Sequence, residues 1–188
     1  MVEPRLSPEV LLPRLAAHVL EHGLADASLR PLARAAGTSD RMLIYHFRSK
    51  DGLITALLEH IAQIYSQALA MSYPGEPAAS RRECAQRLFV IGRTPMFAPF
   101  LRLWWEIVAG SAREFEGYRP AAQAMMGELL GWLEGQMPEG DPDPVGGARY
   151  LLTLIEGTLM LSAIGHEASA RDGLLELVVV DVGERVVR

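Results

Sequence analysis

Two short apolar periodicities joined by Gly37-Thr38-Ser39 constrain this chain more than anything else in it. In the first, Leu29, Leu32, Ala33 and Ala36 recur at the i, i+3, i+4, i+7 spacing of one helix face, behind Ser28 as N-cap and ahead of Gly37 as a left-handed stop. Pro31 falls in the first turn, where its missing N–H breaks no intrahelical bond. The second is capped by Ser39 or Thr38 and runs through Phe47. Longer helices flank the pair. Ser7-Pro8 opens one in which Leu11, Leu12, Leu15 and Val19 recur up to Gly23. Ser49 opens another, whose stripe Leu53, Leu57, Ile61, Ile64 and Ala68 is widened by Ile54, Leu58 and Tyr65. Two short helices around so tight a turn have the proportions of a helix-turn-helix.

Tyr73-Pro74-Gly75-Glu76-Pro77 is the first strong breaker. Beyond it the spacing predicts helices over 78–92, 95–110, 118–137, 144–165 and 169–187, divided by Thr94-Pro95, Arg119-Pro120 and the run from Pro138 to Pro144. Val178, Val179 and Val180 favour a strand by propensity, yet a lone strand would have no partner, so the end is expected to be helical. The chain is therefore expected to be all-α with about nine helices. Residues 1–52 form the helix-turn-helix domain in this reading, residues 53–188 a C-terminal bundle, and helix 53–71 connects them.

Composition narrows the function classes. With 49% hydrophobic and 22% charged residues the 188-residue chain is an ordinary globular one. Cys84 is alone and cannot form an internal disulfide, no segment resembles a signal peptide, and the longest apolar run, Tyr150 to Gly165, contains Glu156 and is too short to span a bilayer. The expectation is a cytoplasmic protein that makes no use of a membrane. The net charge of −5 gives no global attraction to polyanions. Residues 28–50, however, set Arg30, Arg34, Arg41, Arg48 and Lys50 against Asp40 alone, a local +4 that leaves −9 for the remainder. That is the distribution that neutralises phosphates at one place and discourages adhesion elsewhere.

At 100° per residue, Leu43 and Phe47 share the face of the third helix that packs inward. The opposite face presents Arg41, Tyr45 and Arg48, flanked by Met42 and Ile44, so cationic, phenolic and apolar groups together can read base edges and thymine methyls. His46 lies nearer the packed face. Lys50, the one lysine of the chain, stands at a helix start, and Ser28 with Arg30 at the start of the second helix is placed to grip the backbone across the groove. Solvated helix surfaces carry such residues too, and spacing alone does not separate the two readings.

The segments Ser28-Leu29-Arg30-Pro31-Leu32-Ala33-Arg34-Ala35-Ala36-Gly37-Thr38-Ser39 and Leu43-Ile44-Tyr45-His46-Phe47-Arg48-Ser49-Lys50-Asp51-Gly52-Leu53 closely resemble the DNA-binding signature of the tetracycline-repressor (TetR) family. The resemblance implies a homodimeric, ligand-responsive transcription regulator, usually a repressor released from a palindromic operator by a small effector. It implies that Arg41, Met42, Ile44 and Tyr45 face bases, and that Ser28, Arg30, Ser39, Tyr45, His46 and Lys50 contact phosphates. The sequence departs from the pattern at Ile44, often aromatic in the family, and at Asp40, whose charge suits a helix start better than a phosphate. It also implies that the last two helices of each subunit make the dimer interface. Tyr150, Leu151, Leu154, Ile155, Leu161, Leu174, Leu175, Leu177, Val178 and Val182 supply apolar surface for it, or for the subunit's own core.

The second half gathers Met96, Phe97, Phe100, Trp104, Trp105, Met125, Met126, Trp132, Met137 and Met160, which are core residues one by one and together fit a small-molecule pocket between helices. Phe100, Trp104, Trp105, Met125, Met160 and the carboxylate of Glu156 are the candidate ligand contacts. His18 and His22 are four apart and can share a metal, but no third ligand accompanies them. His166-Glu167 lacks the second histidine of a zinc-protease helix, and no phosphate loop or nucleophile elbow occurs, so no catalytic residue, cofactor or metal is expected. The alternatives are an activator with the same reading head, or a helical small-molecule carrier without DNA function.

Overall fold

The computed structural model describes residues 7–24, 27–73, 75–76 and 78–180. They form helices only: α1 (Pro8–His22), α2 (Leu29–Ala36), α3 (Asp40–Phe47), α4 (Lys50–Ser72), α5 (Arg81–Gly92), α6 (Ala98–Ala112), α7 (Tyr118–Glu134), α8 (Pro144–Ala163) and α9 (Glu167–Val180). The all-α expectation holds, and Val178 to Val180 are helical. The rest of the expected last helix, Val182 included, lies outside the described residues. None of the described helices is long and apolar enough to cross a membrane.

The described residues fall into two compact units. One comprises those up to Ser72 together with Gly92–Leu129; the other comprises Tyr73–Ile91 and those from Leu130 onward, so the division falls inside α7.

The first unit is built on α4. Helices as short as α2 and α3 do not persist alone, because too few hydrogen bonds repay nucleation, and must be held by packing. Leu53, Leu57, Leu58 and Ile61 of α4 are fully buried, as are Leu11 and Leu15 of α1, Leu32 of α2 and Leu43 of α3. Leu103 and Ile107 of α6 and Ala121 of α7 complete this core. Each such side chain contributes roughly 2 kcal/mol by leaving water. Loop chemistry then fixes the angles. Gly37 takes the left-handed conformation at φ 71°, and the Arg14 guanidinium of α1 donates to the Ala36 carbonyl at 2.9 Å, a cation on the carbonyl end of α2.

The second unit holds α5, the end of α7, α8 and α9. Arg81 grips Asp141 through two bonds of 2.6 Å and donates a third, of 2.9 Å, to the Asp143 carbonyl. Asp143 in turn caps α8 by accepting from the Gly146 N–H at 2.9 Å. Tyr73 stacks edge-on against Trp132 and donates to the buried Cys84 sulfur at 3.4 Å. Burial, before the cysteine contact, pushes the Tyr73 phenol far above its ordinary range, so it stays a neutral donor.

Candidate nucleic-acid interface

Three local devices set α3 on the surface. Ser39, not Thr38, is the cap that closes its first turn, accepting from the Met42 N–H at 3.3 Å. Asp40 is the first helical residue, where its charge meets the positive end of the helix. Leu43 and Phe47 are buried and root the inner face. At the far end Arg48 adopts φ 69°, and the chain enters α4 within two residues, with the Ser49 hydroxyl accepting from the Gly52 N–H at 2.9 Å. A Cβ at Gly52 would collide with the Phe47 carbonyl oxygen, so only glycine lets α4 start this close beneath the end of α3. A glycine three residues past a serine cap, where a helix prefers almost anything else, is the sequence signal for that contact.

With the inner face anchored, the outward one follows. Tyr45 is 75% exposed. Arg41 is exposed as well, and Met42 and Ile44 are half-buried on the two flanks. Ser39, Ser28, Arg30 and Lys50 are all exposed around this ridge. His46 is half-buried, its ring edge-on to Tyr45 at 5.2 Å, with Nε2 buried and without a hydrogen-bond partner. Glu9, at the start of α1, has its carboxyl held below the usual range, mainly by the Ser7 hydroxyl and least by His46. A ridge with a guanidinium and a phenol at its crest, cations at both ends and its acids at helix starts is suited to a groove between two rows of phosphates.

The candidate ligand contacts are divided between the units. Phe100, Trp104 and Met125 are half-buried and pack on the core of the first unit. Phe100 meets Tyr65 at 5.5 Å and Phe97 at 6.2 Å, while Trp105, half-buried, is five residues on from Phe100 and turned to another side of α6. Glu156, half-buried, and Met160, 50% exposed, lie on α8 in the second unit. His18 and His22 stack at 4.4 Å, with His22 Nδ1 on the His18 carbonyl, and among the described residues no three histidines, cysteines or acids cluster as metal ligands. Arg14, which donates to the Ala36 carbonyl, and Glu106, which accepts from the Leu24 N–H at 2.7 Å, carry no local sequence signal, whereas Gly52 does.

Taken together, the fold and this ridge define a helix-turn-helix DNA-binding protein. Residues 15–57 match the sequence profile of the family described as bacterial regulatory proteins, tetR family. The chain is 28% identical over 157 residues to the HTH-type transcriptional regulator BetI of Ectopseudomonas mendocina, covering 78% of this chain and 76% of the relative. Its fold is that of a TetR transcription regulator from Haloarcula marismortui, with a TM-score of 0.67 at 19% identity over 90% of this chain and 94% of that one. The multidrug binding protein EbrR, solved in complex with proflavin, superposes with a TM-score of 0.66 at 22% identity, covering 90% of this chain and 98% of that one. Residues 15–57 thus carry the DNA-binding segment of the tetR family, and over most of its length the chain is similar to transcriptional regulators.

Proposed function

We propose that the protein is a repressor that binds a palindromic operator as a homodimer and is released by a small apolar or amphipathic effector. The observation that carries this reading is the two-sidedness of α3: Leu43 and Phe47 buried, Arg41 and Tyr45 in solvent. Arg41, Met42, Ile44 and Tyr45 face bases in this reading, while Ser28, Arg30, Ser39, His46 and Lys50, with the Tyr45 hydroxyl, hold phosphates. Residues 1–52 serve as the DNA-binding domain and 53–188 as the effector-binding and dimerisation domain.

One recognition helix makes too few contacts to find a site in a genome, whereas two held roughly 34 Å apart read both halves of a palindrome and nearly sum their energies. Dimerisation is assigned to α8 and α9. Support comes from Tyr150, Met160 and Ile164 of the α8 region, apolar groups 45%, 50% and 65% exposed in the single subunit. Phe100, Trp104, Trp105, Met125, Glu156 and Met160 are assigned to the effector, supported by the aromatic grouping around Phe100 and by the drug-binding relative EbrR. An effector that tilts α4 changes the spacing of the two heads, and a coupling of about 1–3 kcal/mol suffices to shift operator occupancy.

Selection of bound fragments from random duplex DNA, with and without extracted cell metabolites, tests the reading. It expects an enriched inverted repeat with half-sites about one helical turn apart, released by some metabolite fraction. Equal retention of every sequence overturns it.

A further inference from the structure

Glu106 of α6 reaches across 82 residues of sequence to accept a hydrogen bond from the Leu24 N–H, just past the end of α1. The Leu24 side chain is buried, and its N–H follows the Gly23 that ends α1, so it lies beyond the hydrogen-bonded turns of that helix and takes its acceptor from another element. Glu106 Oε2 takes that N–H at 2.7 Å. The other carboxylate oxygen is fitted by the loop as well: Gly23 stands at φ 84°, and a Cβ there would lie 2.5 Å from Oε1. The site therefore combines a donor with an absent side chain.

The contact is made against the local charge. The carbonyl end of α1 is its negative pole, so a carboxylate placed there is less favourable than a neutral amide oxygen doing the same work. On α6 itself, Leu103, Ile107 and Gly110 form the buried ridge, with the Tyr118 ring of α7 seated where a Cβ of Gly110 would be. Glu106 falls on one flank of that ridge, and Phe100 and Trp104 fall on the other.

We propose that Glu106 is a positioning residue for DNA recognition: through the Leu24 N–H it ties the end of α1 to α6, and with it the orientation of the α2–α3 reading head that packs on α1. The proposal rests on the DNA-binding reading above. Its test uses the full chain, the duplex that wild type enriches from random DNA, and a scrambled duplex of the same length. In Glu106→Ala, hydrogen exchange at the Leu24 amide is expected to rise about tenfold, and the ratio of selected to scrambled affinity to fall about tenfold. Affinity for the scrambled duplex and its salt slope stay at wild-type values, which a general loss of structure would not allow. Glu106→Gln, whose amide oxygen still accepts, is expected to restore most of the ratio. If Glu106→Ala does not melt cooperatively, Glu106→Asp, whose shorter side chain draws the carboxylate back from the Leu24 N–H, carries the same comparison. Faster exchange with an unchanged affinity ratio overturns the positioning role, and unchanged exchange overturns the bond. Failure of wild type to enrich any duplex overturns the DNA reading, and the proposal falls with it whatever Leu24 does.

Discussion

On α3 the leucine and phenylalanine point inward while Arg41 and Tyr45 stand in water. Around α8 the order is reversed: Tyr150, Met160 and Ile164 are substantially exposed, and the Asp141 carboxylate in the loop before it is only 3% exposed beside Arg81. The difference teaches what each region is complementary to. A head whose Leu43 and Phe47 are spent on its own core, with cations left outside, suits a polyanion. A helix that leaves aromatic and aliphatic groups uncovered suits another apolar surface.

The contrast can be broken in several ways, the largest effect first. Leu57→Ala opens a cavity in the core that carries α2 and α3, and urea unfolding should show a loss of about 3 kcal/mol. A loss under about 1 kcal/mol would mean that the head does not depend on this core. In the second unit, Asp141→Asn is expected to cost about 2 kcal/mol at neutral pH in thermal unfolding, because Arg81 is left half-paired. The Arg81 bonds hold the Asp141 carboxyl below the usual carboxylate range, so its contribution is present above that range and lost as pH falls through the lowered value. Wild type and variant should therefore converge in strong acid.

Ile164→Glu places a charge on the uncovered surface of the second unit. Sedimentation should show self-association weakened at least about tenfold, with monomer stability unchanged. The smallest effect is expected at the head's edge: Lys50→Ala should weaken all duplexes alike and reduce the slope of log affinity against log salt by about one. An unchanged slope would remove Lys50 from the phosphate contacts.

The two regions also differ in how far sequence pattern reveals them. The head is written in neighbours: Ser39 caps its own helix, Gly37 ends the one before, and Leu43 with Phe47 defines the inward face, each within a few residues of what it controls. What stayed hidden there is the long-range fastening, Arg14 to the Ala36 carbonyl over 22 residues and Glu106 to Leu24 over 82. Nothing local marks either partner. The same holds for Arg81 and Asp141, 60 residues apart in a stretch that reads only as a Pro-Gly-Asp breaker. Helix starts slipped for a related reason. The expected starts at 78 and 95 lie ahead of α5 at Arg81 and α6 at Ala98. Ser80 supplies the effective cap of α5, accepting from the Glu83 N–H, while Thr94 to Phe97 form a turn before α6. The separation of the candidate effector contacts into two units depends on packing that spacing cannot encode.

The corner between α3 and α4 has a mechanical consequence. Arg48 is locked in a rarely used backbone conformation, and Gly52 lies so close beneath the Phe47 carbonyl that not even a methyl group fits between them. Such a joint has no slack, so the two helices behave as the arms of one crank. A turn of the long arm by a few degrees therefore carries the short one, with its outward face, along with it.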